Sequence, residues 1–315
     1  MLYTNLFLFS FFISVILVFF SIRIGNKYRF FDIASEDDVL KIHKESISYL
    51  GGMAMFVAVC IISLLIVFKF DYYLFKNTAL ILFASLPIFI LGFWDDLNWK
   101  NIPQPKPFKK FVFLIIVPLF SASILFFADV QIKLSGIAVI DYSLTFFYIF
   151  VLVNSVNYED GIDGLAGGST FFSLIGFLII SLFLKNELGI LLSIISAGSV
   201  LGFLLFNKPP AKIFMGDSGA FFLGYMLSVF AMLFSARYSI LFLLAPVFIS
   251  GFPVFEGVFT NARRIYNKKS IFFGDRKHLY DILYLKKRLS IGKTLLICYL
   301  IQVLFVVLGL IIYLW

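Results

Sequence analysis

The chain has 315 residues, of which 61% are hydrophobic and only 14% are charged. An ordinary soluble domain is about 25% charged. With a mean hydropathy of +1.01, too few polar side chains remain to cover a water-soluble enzyme, and a disordered chain, a collagen and a disulfide scaffold are excluded as well. What remains is an all-α polytopic membrane protein, and its net charge of +8 is informative because of where the charges fall.

A membrane helix needs about 17–25 consecutive apolar residues. Stretches free of Asp, Glu, Lys and Arg run 2–22, 46–68, 77–94, 111–128, 142–158, 164–184, 188–207, 218–236, 238–255 and 294–315, which predicts about ten transmembrane helices in one domain spanning 1–315. An even number of spans puts both termini on one side. The loops after the odd-numbered spans hold 21 of the 26 Lys and Arg, so that face is expected to be cytoplasmic and both termini external. The first run has no basic segment ahead of it and exceeds a signal peptide's apolar region, so it reads as a retained helix. Cys60 and Cys298 lie inside apolar runs and read as packing residues.

The acids gather on the same face, 14 of the 18, although the positive-inside rule says nothing about acids. A carboxylate near hydrocarbon costs on the order of 2–3 kcal/mol, so acids at helix ends need a reason. In chain order, the first cytoplasmic loop carries Glu36-Asp37-Asp38, which reads as solvated surface, and Lys41-Ile42-His43-Lys44. The third run ends in Phe93-Trp94-Asp95-Asp96, where adjacent carboxylates repel unless a cation or a shared proton relieves them. The external segment 129–141 alternates Val130, Ile132 and Leu134 with polar residues around Ser135-Gly136, which predicts a small β-hairpin.

Between the fifth and sixth runs lies Asn154-Ser-Val-Asn157-Tyr-Glu-Asp160-Gly-Ile-Asp163-Gly-Leu-Ala. Its glycines permit close approach of backbone amides to an anion, and on one helical turn Asp160 and Asp163 would share a face suited to a metal or a nucleotide. Before the eighth run comes Asn207-Lys-Pro-Pro-Ala-Lys-Ile-Phe214-Met-Gly-Asp217-Ser-Gly, where Asp217 or Ser218 is either a helix cap or a functional group. The ninth run contains Glu256, an acid in an apolar setting, which either pairs with Arg263 or Lys293 or serves function. The loop beyond it, with Arg263, Arg264, Asp275, Arg276 and His278, suits either anionic lipid or a phosphorylated substrate. Together these features point to chemistry between a soluble phosphorylated compound and a lipid phosphate. A transporter or flippase of a phosphorylated solute is the rival, but its charges would sit near the midplane.

These motifs resemble the polyprenyl-phosphate N-acetylhexosamine-1-phosphate transferases (glycosyltransferase family 4), and the likeness runs in order along nearly the whole chain. Asp95-Asp96-Leu97 is similar to that family's Asp-Asp motif, Asn157 to Ala166 to its Asn-x-x-Asp-Gly-x-Asp-Gly-Leu-Ala signature, and Phe214 to Gly219 to its Phe-Met-Gly-Asp-Ser/Thr-Gly motif. The resemblance implies transfer of a sugar 1-phosphate from a UDP-N-acetylhexosamine to undecaprenyl phosphate, with UMP leaving and Mg²⁺ (or Mn²⁺) required. By the family pattern Asp217 is the metal ligand. Asp95 and Asp96 orient or deprotonate the lipid phosphate, with Asp95 the candidate base and a covalent aspartyl intermediate the alternative. Asp160 and Asp163 complete the catalytic set, and Asn154, Asn157, Asn207, Phe214, Asp275, Arg276 and His278 contact nucleotide, phosphate or sugar. Lys41, His43, Lys44 and Arg264 are the expected loop contacts to the lipid phosphate. The expected setting is the bacterial inner membrane, with a homodimer left open and no nucleic acid as partner. The chain departs from the pattern at Ser46-Ile-Ser48-Tyr49-Leu50, which lacks the usual prolines and arginine, at His278-Leu279-Tyr280-Asp281 in place of His-x-His-His, and at Glu256 in place of Asp. The sugar and the glycan therefore stay open, and a plain N-acetylglucosamine donor is disfavoured.

Overall fold

A computed structural model describes residues 2–32, 46–67, 72–98, 107–235, 239–270 and 275–314. Lys41, His43 and Lys44 lie outside the described residues. Each of the ten charge-free runs contains a helix: α1 (Leu2–Tyr28), α2 (Gly51–Val67), α3 (Tyr72–Asn98), α4 (Pro107–Phe127), α5 (Ala138–Glu159), α6 (Leu165–Phe183), α7 (Glu187–Asn207), α8 (Gly216–Leu233), the pair α9 (Ile240–Ile249) and α10 (Gly251–Tyr266), and α12 (Ile291–Leu314), preceded by the short α11 (Leu279–Asp281). The count needs correction. Among the described residues eight helices are long and apolar enough to cross a membrane, or nine if α9 and α10 form one span. The shortfall is α2, whose apolar stretch is shorter than the others, and the ninth run, which bends by 89° at Ser250–Gly251.

The core is built around α7 and α8, whose apolar windows are 83% and 89% buried, whereas α1 and α12 are only 28% buried and form the lipid-facing rim. α3 and α5 flank α8, and α6 lies between α7 and α12. With lipid outside, association rests on close backbone approach and interhelical hydrogen bonds. The α1–α7 contact uses both. A Cβ on Gly198 or Gly202 would fall 2.6 Å and 2.7 Å from the carbonyl oxygens of Phe7 and Phe11. Ser10 and Ser14 donate to the Ile195 and Ser199 carbonyls (2.6 and 2.7 Å). Pro87 lies inside α3, and in the two turns before it neighbouring helices donate to α3 carbonyls, the Ser121 hydroxyl to Ala84 and the Tyr225 hydroxyl to Ile81.

Two further differences concern short segments. Phe31–Asp32 and Ile47–Ser48 pair antiparallel, tying the end of α1 to the start of α2. The external hairpin expected at 129–141 does not form. Val130 and Ile132 are buried, but against helices, with the Ile132 N–H donating to Thr145 Oγ1. The turn after them wraps the Asp141 carboxylate, which accepts from the backbone N–H groups of Leu134, Ser135 and Gly136 at 2.8–3.2 Å. The alternation came from one extended segment lying on the bundle, not from two paired strands.

Candidate active site

The acidic motifs converge at one end of the bundle, where α3, α5 and α7 finish and α4, α6 and α8 begin. Asp95 and Asp96 stand in the last turn of α3, and Lys110 in the first turn of α4. Each is at the unfavourable pole of its own helix, because a helix C-terminus repels anions and an N-terminus repels cations. The fold resolves this by crossing the partners. Lys110 Nζ pairs with Asp95 Oδ2 and also lies 3.0 Å from Asp217 Oδ2. Asn157 Nδ2 donates to the other Asp217 oxygen (2.9 Å). A continuous polar chain thus runs Asp95–Lys110–Asp217–Asn157 across four helices.

Adjacent Asp96 points elsewhere, as successive helical residues must. Its carboxylate accepts from the backbone N–H groups of Asp217 (2.8 Å) and Ser218 (3.1 Å), so it caps the N-terminus of α8 from another helix. Gly216 permits this: it adopts φ +69°, and a Cβ there would sit 2.5 Å from Asp96 Oδ2. The glycine pair Gly51-Gly52 holds the same motif from behind, donating from its N–H groups to the Phe214 and Met215 carbonyls (2.9 Å each). Phe214 itself is half-buried, and its N–H donates to the Ser48 carbonyl.

The turn 160–164 closes the site. Asp160 caps α5 and Asp163 lies in the turn, so they do not share one helical face. Asp163 accepts from the Ala211 N–H (2.9 Å). Asn207 is a clasp, accepting from the Gly164 N–H (3.0 Å) and donating to the Ile213 carbonyl (2.8 Å). The Asn154 amide donates to the Phe150 carbonyl within its own helix. Tyr280 and Arg276 reach back to the turn, the Tyr280 hydroxyl donating to Tyr158 and Arg276 to the Gly161 carbonyl (3.0 Å).

The ninth-loop residues are packed into protein. Asp275 forms a bidentate pair with Arg263 (2.8 Å on both arms) and meets Arg264 at 3.4 Å. Partial burial pushes its carboxyl upward, but the two guanidinium groups outweigh this and hold it below the usual range. Arg264, expected at the lipid phosphate, is buried between Asp275 and the ring of Tyr158. His278 is buried too. Its Nδ1 lies 3.0 Å from Thr260 Oγ1 and 3.2 Å from Glu256 Oε2, and its ring stacks on Tyr280. Glu256, fully buried, also accepts from the Leu279 N–H (2.9 Å). Glu256 thus pairs with His278 and not with Arg263, which is given to Asp275.

Sequence reasoning missed Lys110 and Glu159. Lys110 was counted only as a topological charge. The available signal was its place in a helix's first turn after Pro107, where a cation needs a carboxylate. Glu159 is fully buried next to Ser169, Asp160 and Glu256, and nothing local distinguished it from its acidic neighbours.

A divalent metal fits the donor set. Asp95 and Asp217 converge on a single cationic position, and Asp95 Oδ1 is buried with no hydrogen-bond partner among the described residues. Among those residues no cluster of three or more His, Cys, Asp or Glu forms a complete metal cage. Mg²⁺ is commonly held by one or two carboxylates with water and substrate phosphate filling the rest, so Asp217 and Asp95 are the residues that would hold it.

Residues 78–235 match the family model described as glycosyl transferase family 4. A probable undecaprenyl-phosphate N-acetylglucosaminyl 1-phosphate transferase of Bacillus subtilis is 31% identical over 84% of this chain and 73% of its own length. An undecaprenyl-phosphate alpha-N-acetylglucosaminyl 1-phosphate transferase of Thermotoga maritima is 30% identical over 96% of this chain and 87% of its own. A phospho-N-acetylmuramoyl-pentapeptide-transferase of Dictyoglomus thermophilum is 29% identical over 90% and 89%.

Proposed function

The chain belongs to glycosyl transferase family 4, and we propose that it is a phosphoglycosyl transferase moving a sugar 1-phosphate from a UDP-N-acetylhexosamine to undecaprenyl phosphate. The observation that carries this reading is the Asp95–Lys110–Asp217–Asn157 chain at the membrane-interface end of the bundle. A lipid phosphate oxygen attacks the β-phosphorus of the donor, the bridging bond to the α-phosphate breaks, and the bridging oxygen leaves with UMP. The product is the lipid diphospho-sugar that begins an envelope glycan.

Two anions react, so charge neutralisation is the main task. Asp217, with Asp95, would hold Mg²⁺ (or Mn²⁺), which when bound would supply charge neutralisation at the diphosphate. Lys110, which pairs with both carboxylates, adds a fixed positive charge beside them. Asn157 fixes the Asp217 carboxylate, and Asp96 fixes the start of α8 that carries it. Asp95, the less shared carboxylate, is the group placed to take a proton from the lipid phosphate. Asp160, at the open side of the turn, faces the nucleotide in this reading. The site end is cytoplasmic, which the 21 of 26 basic residues on that face support, and the membrane is the bacterial inner membrane. The rival transporter reading is disfavoured because the acids gather at one end and not at the midplane.

The test is UMP release by the purified protein given undecaprenyl phosphate, Mg²⁺ and a panel of UDP-sugars. Turnover is expected with at least one UDP-N-acetylhexosamine. No UMP from any donor would sink the proposal.

A further inference from the structure

We propose that Gln302 on α12 is a positioning residue: its carboxamide sets the angle at which α10 leaves α9, and so places the Asp275–Asp281 loop against the Gly161 turn. The placement rests on the geometry alone. Its consequence for donor binding rests on the reading given above.

The bend of 89° between α9 and α10 frees backbone groups that an unbroken helix would pair. Inside a membrane bundle such groups must find partners within the protein. Gln302, fully buried, supplies them on both sides of the break. Its Nε2 donates to the Ile249 carbonyl (2.8 Å) and its Oε1 accepts from the Phe252 N–H (2.8 Å). The second amide hydrogen goes to Ser173 Oγ on α6 (2.9 Å). One side chain thus spans the break and ties it to a third helix. The surroundings leave little slack. A Cβ on Gly251 would lie 2.3 Å from the Phe305 ring, and one on Gly309 would lie 2.8 Å from the Ala245 carbonyl.

α10 is a lever with its pivot at this clasp. Twelve residues separate Phe252 from Arg264, which is about 18 Å of helix. A change of about 10° at the pivot therefore moves Arg264 by about 3 Å, well beyond the few tenths of an ångström a hydrogen bond tolerates. Along the lever stand Glu256, Thr260, Arg263 and Arg264, and each holds the loop through His278, Leu279 or Asp275. An error at the pivot detunes all of these contacts together.

The experiment places spin labels at Ile265→Cys on α10 and Leu296→Cys on α12, both exposed positions, with Cys60 and Cys298 replaced by Ala. In Gln302→Met, which keeps the bulk but loses the bonds, the label distance is expected to shift or broaden by about 3 Å, as the lever gives. Gln302→Glu, which when protonated keeps an acceptor and one donor, is expected to restore it. Ser173→Ala, which leaves both break contacts in place, should leave the distance unchanged. In the kinetic arm, Gln302→Met should raise KM for the sugar nucleotide about tenfold, equivalent to about 1.4 kcal/mol, leave KM for the lipid phosphate within about twofold, and be rescued by Gln302→Glu. An unshifted distance in Gln302→Met overturns the proposal, as does an equal rise in both KM values. If Gln302→Met does not fold, Gln302→Asn, one methylene short, must shift the same distance or the proposal fails. Absence of turnover in the parent protein defeats the functional reading only, because the distance measurement stands apart from it.

Discussion

Asp96→Asn separates the capping role of this residue from chemistry at the reacting atoms. The wild-type carboxylate accepts two backbone N–H groups at the start of α8 at 2.8 and 3.1 Å, and it is 1% exposed. An amide in its place offers one oxygen and turns an NH₂ group toward the second N–H. One charge-assisted bond is lost, worth about 1.5–3 kcal/mol, and a buried donor is stranded at about 1–3 kcal/mol. The anion's favourable interaction with the helix N-terminus also disappears. The total is about 4 kcal/mol, which at about 2 °C per kcal/mol for a chain of this size lowers the apparent melting temperature by about 8 °C. The assay is thermal unfolding of detergent-solubilised protein alongside UMP release, with Asp95→Asn as the comparison. Asp95 pairs with Lys110 and leaves Oδ1 without a hydrogen-bond partner among the described residues, so Asp95→Asn should stop turnover while shifting the melting temperature by about 2 °C or less. An Asp96→Asn protein that melts like wild type yet has no activity would refute the capping argument and return Asp96 to the reacting atoms.

Lys110→Met removes the cation shared by Asp95 and Asp217, and turnover should fall by about 100-fold, in line with loss of one preorganised charge; a loss below about threefold would take Lys110 out of the site. Asp217→Asn should abolish turnover and remove Mn²⁺ binding measured by electron paramagnetic resonance, and retained binding would make the metal assignment wrong. Gly216→Ala forces a side chain into a positive-φ position 2.5 Å from Asp96 and should reduce both stability and turnover; wild-type behaviour would mean the turn relaxes without cost. The ion pairs lower the Asp275 carboxyl in the folded state. Its stabilising effect is therefore complete above the unfolded carboxylate pKa of about 4 and is lost only as pH falls through the lower folded value. Hydrogen exchange in 275–281 should accordingly be insensitive to this group between pH 5 and 8, and Asp275→Asn should loosen the loop throughout that window.

Much of the architecture was legible because lipid imposes a crude rule: charge-free runs become helices, and each run contains one. The departures arose where a partner distant in sequence decides the outcome. The run 238–255 carries no charge, so it reads as one span, yet Gly251 and Pro253 weaken it and Gln302, about 50 residues on, holds the break open. The alternation at 130–134 reported burial truthfully but could not say whether a strand or a helix supplied the other face. At the site, the motifs picked out residues that the fold brings to one end of the bundle, while leaving their partners unread. Asp95 and Asp96 are neighbours in sequence, but one meets Lys110 and the other caps α8, a division that follows from their different directions off a helix. Asp275, Arg276 and His278 are expected ligand contacts by the family pattern, and the structure adds partners within the protein that the sequence does not show: Arg263, Gly161 and Glu256.

The interlock of α1 with α7 has a consequence for how the chain is made. The hydroxyls of Ser10 and Ser14 find their acceptors 185 residues later in the chain. At about 5–20 residues per second, α7 leaves the ribosome roughly 10–40 s after α1. Through that interval α1 has α2 beside it but not α7, and its serine hydroxyls can turn to carbonyls one turn back in the same helix. The slot between Gly198 and Gly202 can receive it only once α7 has been threaded into the bilayer. α1 is thus locked against α7 only after the five helices between them have been made, and the biogenesis of this protein includes a waiting period written into its own packing.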